Sequence, residues 1–205
     1  MAKLYVLMGK SASGKDTVYH RLLADGALNL KPVVLYTTRP RREGEEDGRD
    51  YYFVDAVRMQ ELDAAGKIIE RRVYQTVYGA WHYFTADDGQ IERSGQQDYL
   101  MIDTLEGYKK LRTYFGENSV VPLYIEVEDG LRLSRALCRE RAQAQPKYEE
   151  MCRRYLADAE DFSEENLAAA GIKMGYHNDK LEECVQELKN SIIIDKNSVC
   201  TDRIP

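Results

Sequence analysis

The run GKSASGKDT at residues 9–17 fits the spacing GxxxxGK and is framed by a β-rich apolar run at 3–8 and an amphipathic stretch at 16–25. Val18, Leu22 and Leu23 share one face of that stretch, so the order reads strand, glycine loop, helix. Glycines let backbone N–H groups turn inward around phosphate oxygens, and the helix N-terminus adds partial positive charge. Lys15 reaches terminal phosphates as a point charge. Gly9, Lys10, Ser11, Ala12, Ser13, Gly14, Lys15, Asp16 and Thr17 are therefore the candidate contacts to a nucleoside triphosphate. A glycine turn with only a joining role accounts for the spacing but not for the lysine. Asp16 stands where Ser or Thr normally offers a hydroxyl to Mg²⁺, and Thr17 follows it. Asp16 either holds Mg²⁺, directly or through water, or caps the helix, so Asp16 and Thr17 are the candidate metal residues.

The strand, helix, strand rhythm returns later, with β-rich runs at 33–37, 99–103 and 120–127 and a helical stretch at 105–114. Between them, 57–65 reads as helix, 67–74 and 78–85 as strands, and 86–95 as a polar helical connection. Residues 129–161 read as two Arg- and Glu-rich helices broken near 143–146, polar enough to stand off the core as a lid. The tail brings a short segment at 176–179 and a helix with Leu181, Cys184, Val185 and Leu188 on its apolar side, then an expected frayed end at 197–205.

At 205 residues, with 43% hydrophobic and 31% charged side chains, the chain has the make-up of one self-sufficient globular unit. A net charge of −6 argues against a general nucleic-acid or anionic-membrane binder, so any anion is met by a local cationic cluster. No apolar run reaches the ~20 residues of a membrane span. Cys138, Cys152, Cys184 and Cys200 form no CxxC pair, which fits reduced thiols in a cytoplasmic protein. His20, His82 and His177 have no metal-ligand spacing.

Such a cationic cluster occurs at 37–53, TTRPRREGEEDGRDYYF, with Arg39, Arg41, Arg42 and Arg49 on a glycine-broken loop before aromatics. Planar guanidinium forks suit a phosphate dianion. Together with the phosphate loop, this TTRxxRxGExxGxxYxF segment resembles the guanylate kinases, which phosphorylate GMP with ATP. The resemblance spans roughly residues 3–195 and places phosphate-clamping arginines on Arg39 and Arg42, the family's glutamate and glycine on Glu45 and Gly48, and its phosphate-binding tyrosine on Tyr51. IIE resembles the strand whose glutamate receives guanine donors, here Glu70; a carboxylate suits the adjacent N1–H and amino groups that adenine does not present together. YG at Tyr78 and Gly79 resembles a second phosphate-binding tyrosine. MIDTLEG, residues 101–107, resembles a strand end whose acid falls on Asp103, facing guanine or Mg²⁺. The lid arginines of the family correspond to Arg135, Arg139 and either Arg153 or Arg154, of which Arg139 and Arg154 are assigned to catalysis with Lys15, Arg39 and Arg42. HNDK, residues 177–180, makes Asn178 a nucleotide contact by the same resemblance.

One departure stands out: Leu35 occupies the place of a serine that reads guanine O6 in the family. Two rival readings follow, a kinase of another phosphorylated acceptor such as ribose 1,5-bisphosphate, whose loops also write GKD, and a non-catalytic guanylate-kinase-like binding module, disfavoured by the intact loop with Lys15. The expected fold is α/β: a P-loop three-layer α/β/α arrangement with a parallel core sheet at 1–34, 96–129 and 162–205. A mixed α/β monophosphate-binding insertion is expected at 35–95 and a helical lid at 130–161. The expected reaction moves the ATP γ-phosphoryl to GMP or dGMP with Mg²⁺, in a cytoplasmic monomer or homodimer that binds neither nucleic acid nor membrane.

Overall fold

The computed structural model describes residues 2–76 and 79–201. β1 (Leu4–Gly9) is buried along its whole length, as a strand covered on both faces must be. It feeds through the glycine loop into α1 (Lys15–Leu23), and then come β2 (Leu30–Pro32), β3 (Tyr36–Thr37), β4 (Tyr52–Phe53) and α2 (Ala56–Ala64). β5 (Ile68–Thr76) and β6 (Gly79–Ala86) precede β7 (Asp98–Ile102), α3 (Leu105–Phe115) and β8 (Val120–Glu126). The chain finishes with α4 (Asp129–Arg141), α5 (Tyr148–Asp161), α6 (Glu164–Ala169), β9 (Tyr176–His177) and α7 (Leu181–Thr201).

The larger sheet has the order β2-β7-β1-β8-β9, with every pairing parallel. Alternation along β1 divides its side chains between two apolar clusters. Leu4, Val6 and Met8 pack with Tyr108 and Leu111 of α3 and with Phe162 and Ile172. Tyr5 and Leu7 pack with Val18 and Leu22 of α1 and with Cys184, Leu188 and Ile192 of α7. Helices on both faces of a parallel sheet make three layers.

The smaller sheet, β4-β3-β6-β5, is mixed: β3 pairs parallel with β4 and antiparallel with β6, and β5 pairs antiparallel with β6. α2 starts at Asp55, whose side chain accepts from Arg58 N, and it buries Met59 and Leu62 against Tyr36, Phe84 and Ala86. α3 packs beside β5, which brings the end of β7 in the large sheet next to the small one.

Three local expectations are corrected and one helix is added. Residues 86–95 hold no helix, because Gly89 takes φ 91° and the chain turns there. Residues 33–35 are not strand: the Gln90 amide takes both polar groups of the Val34 backbone, accepting from its N–H at 2.9 Å and donating to its carbonyl at 3.1 Å. α6 adds a short helix capped by Ser163, which accepts from Asn166 N. Of the end expected to fray at 197–205, residues 197–201 are helix, and 202–205 lie outside the described residues.

Candidate active site

The glycine loop closes tightly at its helical end. Gly14 has φ 82°, a left-handed conformation that favours glycine, and a Cβ there would strike the Asn178 amide. That amide, 3% exposed, donates to Ser13 O at 2.7 Å. Asn178 is set by Arg135 of α4, which donates to the carbonyls of Asn178 and Asp179 at 2.9 and 3.3 Å. Asn178 and Arg135 thus brace the loop from behind. Lys15 opens α1, and burial pulls its ammonium below the usual range, while Asp16 and Asp158 oppose the shift and Arg154 and Arg139 reinforce it. Asp16 and Thr17 lie exposed in the first turn beside it.

The two polar helices reach the glycine loop through α5. Arg154 of α5 donates to Ser11 Oγ at 3.0 Å, and Asp158, one helical turn on, accepts from Ser11 N at 2.8 Å. Its neighbour Arg153 points elsewhere, pairing with Glu150 at 2.7 Å. Arg132 of α4 is 1% exposed; it lies between Asp129 at 3.0 Å and Asp158 at 3.4 Å, with its guanidinium 3.8 Å from the centre of the Tyr155 ring. Glu140 joins the two helices by accepting from Lys147 N and from Gln143 Nε2. Between α4, α5 and the loop lies a cavity of about 400 Å³, lined among others by Ser11, Arg42, Arg139 and Arg154.

Across from the loop, the arginine segment is held by one carboxylate. Glu45 accepts from both terminal nitrogens of Arg39, at 2.9 and 2.8 Å, and from Arg42 N at 2.7 Å. The Arg39 pair holds the Glu45 carboxyl down to about 2. Arg39 is 4% exposed, donates from Nε to Tyr83 OH at 3.0 Å, and lies 5.5 Å from the ring centres of Tyr51 and Phe53. Tyr51 meets Tyr83 edge to face. Arg39 thus sits in a preformed socket, while Arg42 is exposed and faces the cavity.

A third cluster is a buried ionic group. Glu70, 2% exposed on β5, sits opposite Thr85 of β6 and accepts from Thr85 Oγ1 at 3.1 Å. Asp103, 5% exposed at the end of β7, accepts from Thr104 N at 2.6 Å. Arg72 spans them, with Nε 3.3 Å from Glu70 Oε2 and Nη2 3.0 Å from Asp103 Oδ1. Burial pushes the Asp103 carboxyl up to about 7, with Glu70 acting in the same sense and Arg72 against it. Gly107 is required here, since a Cβ on it would overlap the Asp103 carboxylate. Leu35 packs against the core beneath the larger sheet.

A family model described as guanylate kinase matches residues 1–195. The chain belongs to the guanylate kinase family. The guanylate kinase of Symbiobacterium thermophilum is 31% identical over 94% of this chain and 85% of its own, and that of Zymomonas mobilis 28% over 94% and 84%. A Rhodopseudomonas palustris guanylate kinase reaches 36% over 60% of this chain; there and in the Nitrosomonas europaea relative, the chain spans about half the relative's length, 53% and 55%. The crystal structure of guanylate kinase from Anaplasma phagocytophilum superposes with a TM-score of 0.63, covering 95% of this chain and 86% of that one at 24% identity. At that identity the likeness is one of fold. Guanylate kinases are ATP:GMP phosphotransferases, nucleoside monophosphate kinases of the transferase class.

Against the expectations for a guanylate kinase, one cavity draws together Ser11, Arg42, Arg139 and Arg154 from three separate segments. Glu70 and Asp103 meet through Arg72. Tyr78 lies outside the described residues. Arg72, Arg132 and Asp158 are the ionic residues that sequence reasoning missed. For Arg72 a signal exists, because strand alternation puts it on the face of Glu70. For Arg132 and Asp158 none does, because a charge on a polar helix looks like a solvated one.

Proposed function

We propose that the protein transfers the γ-phosphoryl group of ATP to GMP, giving ADP and GDP, with Mg²⁺ as the accompanying ion, in the purine nucleotide metabolism of the cytoplasm. The observation that carries the reading is the shared cavity, where the phosphate loop, the arginine segment and the two lid helices converge. The two phosphates that react must lie side by side, and this is the place in the molecule where a loop for one and a cation for the other share a wall.

In this reading the backbone N–H groups of residues 10–15 and the Lys15 ammonium hold the ATP phosphates. Arg39, fixed in its socket by Glu45, and Arg42, with Tyr51 and Tyr78, hold the GMP phosphate. Glu70 and Asp103 receive the guanine donors. The acceptor phosphate is already a nucleophile, so the protein supplies alignment, charge neutralisation and exclusion of water. Arg139 and Arg154 follow the transferring group from the lid, residues 130–161, while the acceptor sits on the insertion, residues 35–95.

Mg²⁺ takes one or two carboxylates plus substrate phosphate oxygens and keeps several waters. Asp16, exposed beside Lys15, supplies a carboxylate of that kind and Thr17 a hydroxyl, so the first turn of α1 fits the ion. Bound there, it neutralises charge on the triphosphate.

The test is an ATP-consumption assay with Mg²⁺ across GMP, dGMP, AMP, CMP, UMP and ribose 1,5-bisphosphate, with the Lys15→Ala protein as blank. GMP-selective turnover above the blank supports the reading. Turnover with a different acceptor, or none above the blank, overturns it.

A further inference from the structure

Three buried polar atoms of the Glu70, Arg72 and Asp103 cluster have no hydrogen-bond partner among the described residues: Glu70 Oε2, Asp103 Oδ2 and Arg72 Nε. Each belongs to a group whose other end is already engaged. Glu70 Oε1 accepts from Thr85, Asp103 Oδ1 accepts from Thr104 N and lies 3.0 Å from Arg72 Nη2, and Arg72 Nη2 also reaches Glu70 Oε1 at 3.4 Å. Arg72 Nε and Glu70 Oε2 are 3.3 Å apart but not aligned to bond each other. Buried polar atoms are nearly always paired, and leaving them unpaired is costly. A ligand that met all three would complete the cluster.

The three atoms are two acceptors and one donor, so their complement carries two donors and one acceptor on a single edge. Guanine has that edge: N1–H and the 2-amino group donate, and O6 accepts. The matching edge of adenine has one donor and one acceptor, and would leave a buried carboxylate oxygen unmet. Arg72 Nε and Glu70 Oε2 are moreover an adjacent donor and acceptor, as O6 and N1–H are an adjacent acceptor and donor.

We propose that Arg72 is a specificity-determining residue that remains in the acceptor pocket and donates from Nε to guanine O6, while Glu70 Oε2 and Asp103 Oδ2 accept from N1–H and the 2-amino group. The inference rests on the GMP reading above and deepens it. It supplies a donor toward O6 in a chain where Leu35, apolar and half-buried against the core, stands in place of the family's O6-reading serine. The bland role for Arg72 is to neutralise two buried acids. Neutralisation asks only for a cation, whereas base reading asks for a donor at the position of Nε.

Steady-state kinetics at saturating ATP separate the two. Wild type, Arg72→Met and Arg72→Lys are compared with GMP and with 6-thio-GMP, which keeps both donors but replaces O6 with a poor acceptor. Arg72→Met leaves two buried acids without their cation and can fail to fold; Arg72→Lys keeps the charge, and thermal melts report on both. The expected result for folded Arg72→Lys is a GMP KM raised about tenfold, with the ATP KM within about twofold of wild type. The wild-type preference for GMP over 6-thio-GMP should also collapse to within about threefold of parity. Arg72→Lys with an unchanged GMP KM and the full preference would reduce Arg72 to a counter-ion and overturn the proposal. A lower GMP KM in either variant would overturn it too, by showing that Arg72 competes with the base. Wild type without GMP turnover would sink the GMP reading itself, an outcome visible before any variant is measured.

Discussion

Asp158 Oδ2 accepts the backbone N–H of Ser11 at 2.8 Å, which places an α5 carboxylate on a donor of the glycine loop. A phosphate on the loop would find that donor taken and a negative charge beside it, while Arg132 restrains the carboxylate from behind at 3.4 Å. Asp158→Asn removes the charge and keeps the shape. The expected outcome is ATP affinity raised about tenfold, or about 1.4 kcal/mol, by calorimetry. An unchanged or weaker affinity would mean that the carboxylate supports the loop instead of competing for it.

Gly107 gives the second prediction. Its N–H reaches Thr104 Oγ1 at 3.1 Å in the cap of α3, and its missing side chain leaves room for Asp103. Gly107→Ala should cost about 1–3 kcal/mol in urea unfolding, as overpacking usually does. It should also raise the GMP KM, since Asp103 must shift, and leave ATP binding alone. A variant with normal stability and normal GMP KM would show that Asp103 is not held where the crowding implies.

The third concerns pH. Burial pushes the Asp103 carboxyl up to about 7, with Glu70 adding to the rise and Arg72 countering it. In the unfolded chain the same group ionises in the ordinary carboxylate range, so between that range and about 7 the folded state holds the extra proton. Its contribution to stability is therefore present at low pH, is lost as pH rises through that window, and is flat above it. Melts from about pH 5 to about pH 8 should show wild type losing ground to Asp103→Asn as pH rises. A constant difference would contradict the raised value. Because the ionised form accepts from guanine, the GMP KM should fall over the upper part of the same range.

Much of this arrangement is legible in the sequence wherever a local pattern carries its own reason. The spacing from Gly9 to Lys15 requires a strand before it and a helix after it, and β1 and α1 flank it. The break near 143–146 falls between α4 and α5. Residues 33–35 read as strand because Val33, Val34 and Leu35 have the composition of one, yet a distant side chain, Gln90, satisfies the Val34 backbone in place of a neighbouring strand. The loop containing Gln90 reads as helix for the matching reason: its tie to Val34 is made by a side chain and leaves no periodic trace. Charged residues are the hardest to read. Arg132 is 1% exposed, and its partners on α5, Tyr155 and Asp158, are out of sight in the local sequence.

The buried hydroxyl of Tyr5 donates to Asp195 at 2.8 Å, across 190 positions of chain, and Leu188 and Ile192 of the same last helix cover Leu7 and the helix that follows the phosphate loop. During synthesis this strand emerges well before α7, the helix that closes its second face. Contacts of such separation form late and slowly. A nascent chain therefore carries the loop sequence long before the strand that leads into it is packed on both faces, and a ribosome that stops short of α7 releases a product with an open flank.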